Sequence, residues 1–311
     1  IIATAGIGGM SDDPRTKYSE LNRIHLIEEI RKARSLTKGI IGINIMVALA
    51  DYDSLVKTAV EEKADLIISG AGLPLNLPQL TGGSDIKLVP IVSSGRALAV
   101  ICKKWIKDYN KIPDAVIVEG PKAGGHLGYD FDAIVNNTTM PLEDIVKEVI
   151  PVANSYAKPI PVIAAGGIYD GADIARMLKL GAAGVQMATR FVCTEECDVH
   201  PAFKQMYIEA TEDDITLIKS PVGLPGKVLN NDFVKRINSG EKLPFKCKYQ
   251  CLKSCNFTKA PYCIAEVLHQ ASLGNLENAF AFAGSNAFKC KEIISVETLF
   301  NQLREEYLKA L

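Results

Sequence analysis

The sequence predicts an α/β fold, a (β/α)₈ TIM barrel, and three observations predict it. Short β-branched runs alternate with stretches of helical apolar periodicity from Ile1 to about Arg190, a pattern that calls for parallel strands joined by helical crossovers. The runs end in Gly, Ser or Asn, which collects flexible and polar positions at one end of the sheet, where such barrels carry their sites. No GxGxxG follows the first run, which weighs against the alternative, a doubly wound open sheet. Seven runs are present where a barrel has eight. The chain opens on Ile1 with a strand already under way and no charged leader, so the first barrel strand is expected upstream.

Taken in order, Ile1 to Thr4 is the first run. Leu21, Ile24, Ile27 and Ile30 form one stripe of a helix over 19–34. The second run, 40–46, precedes a helix over 53–62, and the third, 65–69, ends in Ser69-Gly-Ala-Gly72. The fourth, 86–92, ends in Ser93-Ser-Gly95 and is followed by a helix over 96–109. The fifth, 115–118, stops at Glu119, and a helix follows over 141–157. The sixth, 160–164, precedes a helix over 171–180, and the seventh, 183–187, ends in Ala188-Thr-Arg190. Beyond Arg190 strand signals fade, and short helices are expected over 201–210 and 263–273. Three units result: a barrel over 1–191, a mostly helical or irregular, cysteine-containing segment over 192–290, and a terminal helical stretch over 291–311. That last helix should pack on the barrel through Val296, Leu299, Phe300 and Leu303.

Composition narrows the function. A chain of 311 residues with 48% hydrophobic and 23% charged residues is ordinary for a globular protein. The net charge is −1 with acids and bases interleaved, which argues against nucleic acid as a partner. The longest apolar run, 40–50, is too short to span a bilayer and carries Asn44. Eight cysteines in a chain of this length do not read as a secreted disulfide scaffold, so the cytoplasm is the expected compartment. The expected partners are a small-molecule substrate and, at most, a second copy in a homodimer.

Several positions carry chemistry. His126 stands in Gly124-Gly-His-Leu-Gly128 directly after a strand that ends in the carboxylate Glu119. Alone it would be an ordinary loop histidine; this setting makes it the catalytic candidate, able to donate, accept or move a proton. Ala164-Ala-Gly-Gly-Ile168 and Gln186-Met-Ala-Thr-Arg190 are two late strand ends. Either they need small residues for tight turns alone, or their amides form an anion site of the kind barrels place after strands 7 and 8. Asn44 interrupts an apolar strand end, where it is either a bonded structural amide or a partner for a flat heterocycle such as a flavin edge. Cys247, Cys251, Cys255 and Cys263 follow C-x₃-C-x₃-C-x₇-C, which fits neither paired CxxC motifs nor a ferredoxin run. Ordinary buried thiols and no metal are expected there. No G-x-S-x-G elbow marks a hydrolase.

In order along the chain, Gly42-Ile-Asn-Ile-Met46, Ser69-Gly-Ala-Gly72, Glu119 with Ala123-Gly-Gly-His-Leu-Gly128, Ala164-Ala-Gly-Gly-Ile168 and Gln186-Met-Ala-Thr-Arg-Phe191 resemble the nitronate monooxygenase (2-nitropropane dioxygenase) family. That family also includes flavin-dependent enoyl-acyl-carrier-protein reductases. The resemblance covers about residues 1–230, through Ser220-Pro-Val-Gly-Leu-Pro-Gly226, and more loosely 280–311. It implies a barrel holding non-covalent FMN. Gly166, Gly167, Ala188 and Thr189 would hold the FMN phosphate, Asn44 and Glu119 would line the flavin or its ribityl side, and His126 would face the substrate. Gly124, Gly125 and Gln186 complete the implied cofactor-binding set. Ala188 stands where glycine is more usual, and a backbone N–H can still serve there. Gly8-Gly-Met10 has the letters of the family's FMN-touching loop but follows the wrong strand in this register, so the two are not equated. The implied activity is FMN-dependent oxidation of alkyl nitronates with O₂ to a carbonyl compound and nitrite. The alternative is NADH-dependent reduction of an enoyl-acyl-carrier-protein thioester. A non-enzymatic flavin- or metal-binding module is a third reading.

Overall fold

The computed structural model describes residues 1–4 and 17–311. The Gly8-Gly-Met10 run lies outside the described residues. Ten strands are described: β1 (Ile2–Thr4), β2 (Gly42–Met46), β3 (Leu66–Gly70), β4 (Lys87–Val92), β5 (Val116–Glu119), β6 (Gly125–His126), β7 (Val162–Ala165), β8 (Gly184–Gln186), β9 (Ile215–Lys219) and β10 (Pro225–Leu229). Seven of them pair in parallel in the order β1-β2-β3-β4-β5-β7-β8. They are the seven runs read from the sequence. The curled sheet has a TIM-barrel-like layout in which β1 and β8 are the described edges.

The strands read as continuous apolar runs because both faces are covered. Alternate side chains point to opposite faces. Ile67, Leu88, Val116, Val118 and Val162 join the large core between sheet and helices, while Ile68, Val89, Ile117 and Ala165 form a separate inner cluster. Trp105, on the helix Gly95–Tyr109, is fully buried in the outer layer and donates its indole N–H to Pro74 O at 3.1 Å. A cavity of about 670 Å³ opens on the inner side, lined among others by Ile1, Ile68, Ile117, Val185, Gln186 and Phe191. No helix among the described residues is long and apolar enough to cross a membrane.

The structure departs from the sequence reading in three places. The helix Tyr18–Leu36 buries Asn22, Leu26 and Ile30, and Ile24 is exposed, so its inward face is rotated from the predicted stripe. The terminal helix Val296–Lys309 buries Leu299 and Leu303 but leaves Phe300 exposed. It docks on the helix Gly171–Lys179, where a Cβ at Gly171 would stand 2.1 Å from Tyr307 N. Residues 192–290 hold the helices Pro201–Glu209 and Ile264–Ser272, and they also hold the antiparallel pair β9–β10, which the sequence reading did not contain. β10 pairs on its other side with β6, so the order is β6-β10-β9. The later segment is therefore joined to the barrel by backbone hydrogen bonds at the histidine loop.

Candidate active site

The inner face of the sheet is apolar until its C-terminal rim. Asn44 lies in register with Ile68, and Glu119 with Ala165. Ile68 and Ala165 belong to the inner cluster, and residues paired across parallel strands share a face, so Asn44 and Glu119 both face inward. None of the described hydrogen bonds or ion pairs engages the carboxyl group of Glu119. Burial among the apolar strand ends pushes its pKa up to about 7. Its backbone oxygen is held by Tyr129, whose hydroxyl donates to it at 2.6 Å.

His126 is fixed from the opposite side. β6 pairs antiparallel with β10, placing His126 opposite Gly226, and Leu127 N donates to Pro225 O at 2.9 Å. The turn between β9 and β10 contains Ser220, and His126 Nε2 lies 2.7 Å from Ser220 Oγ. The Phe282 ring meets the imidazole edge to face, with centroids 4.8 Å apart. Burial lowers the pKa of His126 to about 4, so the imidazole is neutral at neutral pH. Ser220 and Phe282 were not singled out from the sequence. The only signal for Ser220 was its place at the head of Ser220-Pro-Val-Gly223, a turn sequence with Gly223 at φ +88°.

The two glycine turns meet the histidine loop. Gly166 and Gly167 have φ of +90° and +87°, conformations that favour glycine. A Cβ on Gly166 would stand 2.8 Å from Gly120 O, and one on Gly167 would stand 2.8 Å from the Lys122 side chain. Gly124 is packed the same way, its missing Cβ 2.5 Å from Gly284 N, whereas a Cβ on Gly125 would meet nothing. Geometry alone thus accounts for Gly124, Gly166 and Gly167. None of the hydrogen bonds between described residues uses the amides of Gly166, Gly167 or Ala188, so these donors remain for an anion.

A late segment the sequence did not point to, Ala283 to Asn286, ties the turns together. Gly284 N donates to Thr189 Oγ1 at 3.2 Å, Ser285 N to Lys122 O at 3.0 Å, and Asn286 Nδ2 to Gly167 O at 2.7 Å. Lys227 on β10 is buried, and its Nζ donates to Pro121 O and Ser285 Oγ. Burial, and then the neighbouring charge of Lys122, lower its pKa to about 8. The structure therefore brings Glu119, Gly124, Gly125, His126, Gly166, Gly167 and Thr189 into one interlocked set of loops. Asn44 shares their inner face from across the sheet. Ala188 directly precedes Thr189, and Gln186 lines the apolar cavity.

The amides suit a phosphate, and the apolar walls with one carboxyl and one neutral imidazole suit a flat ring and a small substrate. Comparison with known proteins agrees in kind. The sequence model of the family described as nitronate monooxygenase matches residues 21–306. A Rhodococcus jostii protein named (3aS,4S,5R,7aS)-5-hydroxy-7a-methyl-1-oxo-octahydro-1H-indene-4-carboxyl-CoA dehydrogenase is 28% identical over 239 residues, covering 76% of this chain and 60% of the relative. A probable nitronate monooxygenase of Bacillus subtilis is 31% identical over 253 residues, covering 80% of this chain and 68% of the relative. Among solved structures, FabK from Thermotoga maritima superposes with a TM-score of 0.75 at 28% identity, covering 98% of this chain and 88% of that one. The chain spans about three-fifths of the length of the R. jostii relative.

Proposed function

The chain belongs to the nitronate monooxygenase family, and from that premise we propose that it is an FMN-dependent oxidoreductase that oxidises alkyl nitronates with O₂ to a carbonyl compound and nitrite. The observation that carries this reading is the pairing of unused amides at Gly166, Gly167 and Ala188 with a neutral, half-buried His126 on a neighbouring loop. The first would hold the cofactor's phosphate, with Thr189 beside it. Asn44 and Glu119 would line the ring and its ribityl side. When bound, FMN supplies the redox chemistry between substrate and O₂.

The chain's own residues supply orientation and proton handling. His126 is unprotonated at neutral pH, so it can take the α-proton of a neutral nitroalkane or hold the nitro group of a nitronate by hydrogen bonding. Ser220 and the Phe282 edge hold its ring in one plane. Glu119, carrying a proton through part of the neutral range, can donate a hydrogen bond toward a ring heteroatom rather than repel electron density.

A second reading is NADH-dependent reduction of an enoyl thioester by the same site; a relative whose name specifies a carboxyl-CoA substrate favours it. Oxygen uptake separates the two. Purified protein loaded with FMN should consume O₂ on adding a nitronate without NADH. Loss of NADH on adding an enoyl thioester, with no nitronate-driven uptake, would replace the first reading by the second. Protein that refuses FMN would remove both.

A further inference from the structure

A second cavity, of about 340 Å³, adjoins the Gly166-Gly167 turn. Its wall includes Leu142 and Ile168, which belong to the core between sheet and helices. None of the described residues lining it belongs to the inner cluster of the sheet. Apart from the two glycines it shares no residue with the candidate cofactor set. It therefore opens in the helical layer, behind the turn that borders the barrel interior.

The charges around this cavity do not balance. Lys227 reaches it from β10 and is only 6% exposed. An ammonium group has three N–H donors. Two of them go to Pro121 O and to Ser285 Oγ, the latter at 2.7 Å. Among the described residues no acceptor takes the third, and no carboxylate pairs with the charge. Lys122, exposed at the same wall, forms no ion pair with a described residue. The carboxylate that does line the cavity, Glu143, accepts from Arg176 Nε at 3.1 Å. Arg176 also donates to Asp173 Oδ1 at 2.6 Å, so that cation is compensated twice. Two positive charges, one of them buried, are left without a counter-charge. Burying an unpaired charge is costly, and an anion at the same place removes the cost. The depressed pKa of Lys227 agrees, since burial and then Lys122 act on it unopposed.

We propose that this cavity is a second anion site, which binds the phosphate group of a small ligand between Lys227 and Lys122. A phosphate monoester carries close to two negative charges at neutral pH and several acceptor oxygens. That matches two ammonium groups with the amide of Asn137 and the hydroxyls of Thr139 and Ser285 on the same wall. The space exceeds what one phosphate fills, so it admits free phosphate or the phosphate end of a nucleotide. The site does not depend on the FMN reading, because neither lysine belongs to the cofactor set.

The test is calorimetric titration of the full chain, saturated with FMN and at low ionic strength, with inorganic phosphate and separately with ADP. A single saturable site is expected, at which the two compete. Equal affinities would make the phosphate group alone the ligand, and ADP binding about tenfold tighter or more would make it a nucleotide. Lys227→Met and Lys122→Ala should each weaken phosphate binding about tenfold or more, with the bound flavin retained. Lys57→Ala, exposed on the helix Tyr52–Glu61 and outside the cavity, should change nothing. No saturable binding by the unaltered chain, or unchanged affinity in both lysine variants, would overturn the proposal. So would loss of phosphate binding on loading with FMN, since the cavity would then be the cofactor's own phosphate site. A chain that refuses FMN yet binds phosphate through both lysines would remove the FMN reading and keep this one. Should Lys227→Met fail to fold, Lys122→Ala decides, because that side chain is exposed.

Discussion

His126 and Ser220 lie 94 residues apart in the chain and 2.7 Å apart in space, Nε2 to Oγ. Ser220 Oγ also accepts the amide of Val222 at 3.3 Å. The hydroxyl oxygen keeps a second lone pair, so it either accepts from Nε2–H or donates to an unprotonated Nε2, and with either tautomer the bond fixes the orientation of the imidazole. Ser220→Ala removes that restraint and one hydrogen bond of about 1 kcal/mol. Turnover of a neutral nitroalkane should fall roughly fivefold, with FMN affinity unchanged. Unchanged turnover would show that Ser220 does not orient the imidazole.

His126 itself should matter more for one substrate form than for the other. A neutral nitroalkane must lose its α-proton, whereas a nitronate has already lost it. His126→Ala should therefore slow neutral nitroalkanes by about 10² to 10⁴ and nitronates far less, at full FMN occupancy. Parallel steady-state assays on the two forms of one compound measure the split. Equal losses would assign His126 to binding rather than to proton transfer.

Glu119 and His126 push the pH dependence of stability in opposite directions. The fold holds Glu119's proton up to about pH 7, against 4.5 for an ordinary glutamate. Its contribution is fully present below pH 4.5 and is lost as pH rises through 7. The fold refuses His126 a proton down to about pH 4, against 6.5 ordinarily. Its contribution is present above pH 6.5 and is lost as pH falls through 4. Each is worth up to about 3 kcal/mol, and between pH 4.5 and 6.5 they offset one another. Glu119→Gln should expose the histidine slope, so that urea stability falls on acidification from 6.5 to 4.5 more steeply than in the unaltered protein. Identical slopes for the two proteins would contradict the burial of the Glu119 carboxyl.

The parallel sheet was legible because its signal is local. Each buried strand is a short β-branched run closed by Gly, Ser or Glu, as with Val116 to Glu119. The β9–β10 pair was not legible. Thr216, Lys219 and Lys227 break its apolar pattern, and Lys227 is buried only because Pro121 and Ser285 receive its ammonium group. The candidate site divides along the same line. His126, Glu119 and the glycine pairs sit at strand ends, where position alone marks them. Ser220, Phe282 and Asn286 reach the site by long-range packing of ordinary residue types, which no spacing announces. The helix Tyr18–Leu36 shows a milder form of the problem: Asn22 takes an inward position because Asp51 accepts its amide at 2.9 Å, and the apolar stripe turns with it.

Gly124 and Gly125 are adjacent, and their substitution should differ in size for separate reasons. A Cβ at Gly124 would lie 2.5 Å from Gly284 N and 2.6 Å from Ala283 C, both backbone atoms of the segment that clamps Thr189 and Gly167. Backbone cannot rotate aside as a side chain can, so Gly124→Ala has to separate the histidine loop from that segment. The expected cost is about 3 kcal/mol or more, together with weaker FMN binding. Gly125 has open space around its missing Cβ, but its φ is +81°. Gly125→Ala should cost only about 1–2 kcal/mol of backbone strain and leave FMN affinity within a few-fold of the parent. Denaturant unfolding and FMN titration of both variants measure the contrast. If Gly125→Ala proved the more damaging to FMN binding, the close approach of Gly124 to Gly284 would not be what holds the Gly166-Gly167 turn in place.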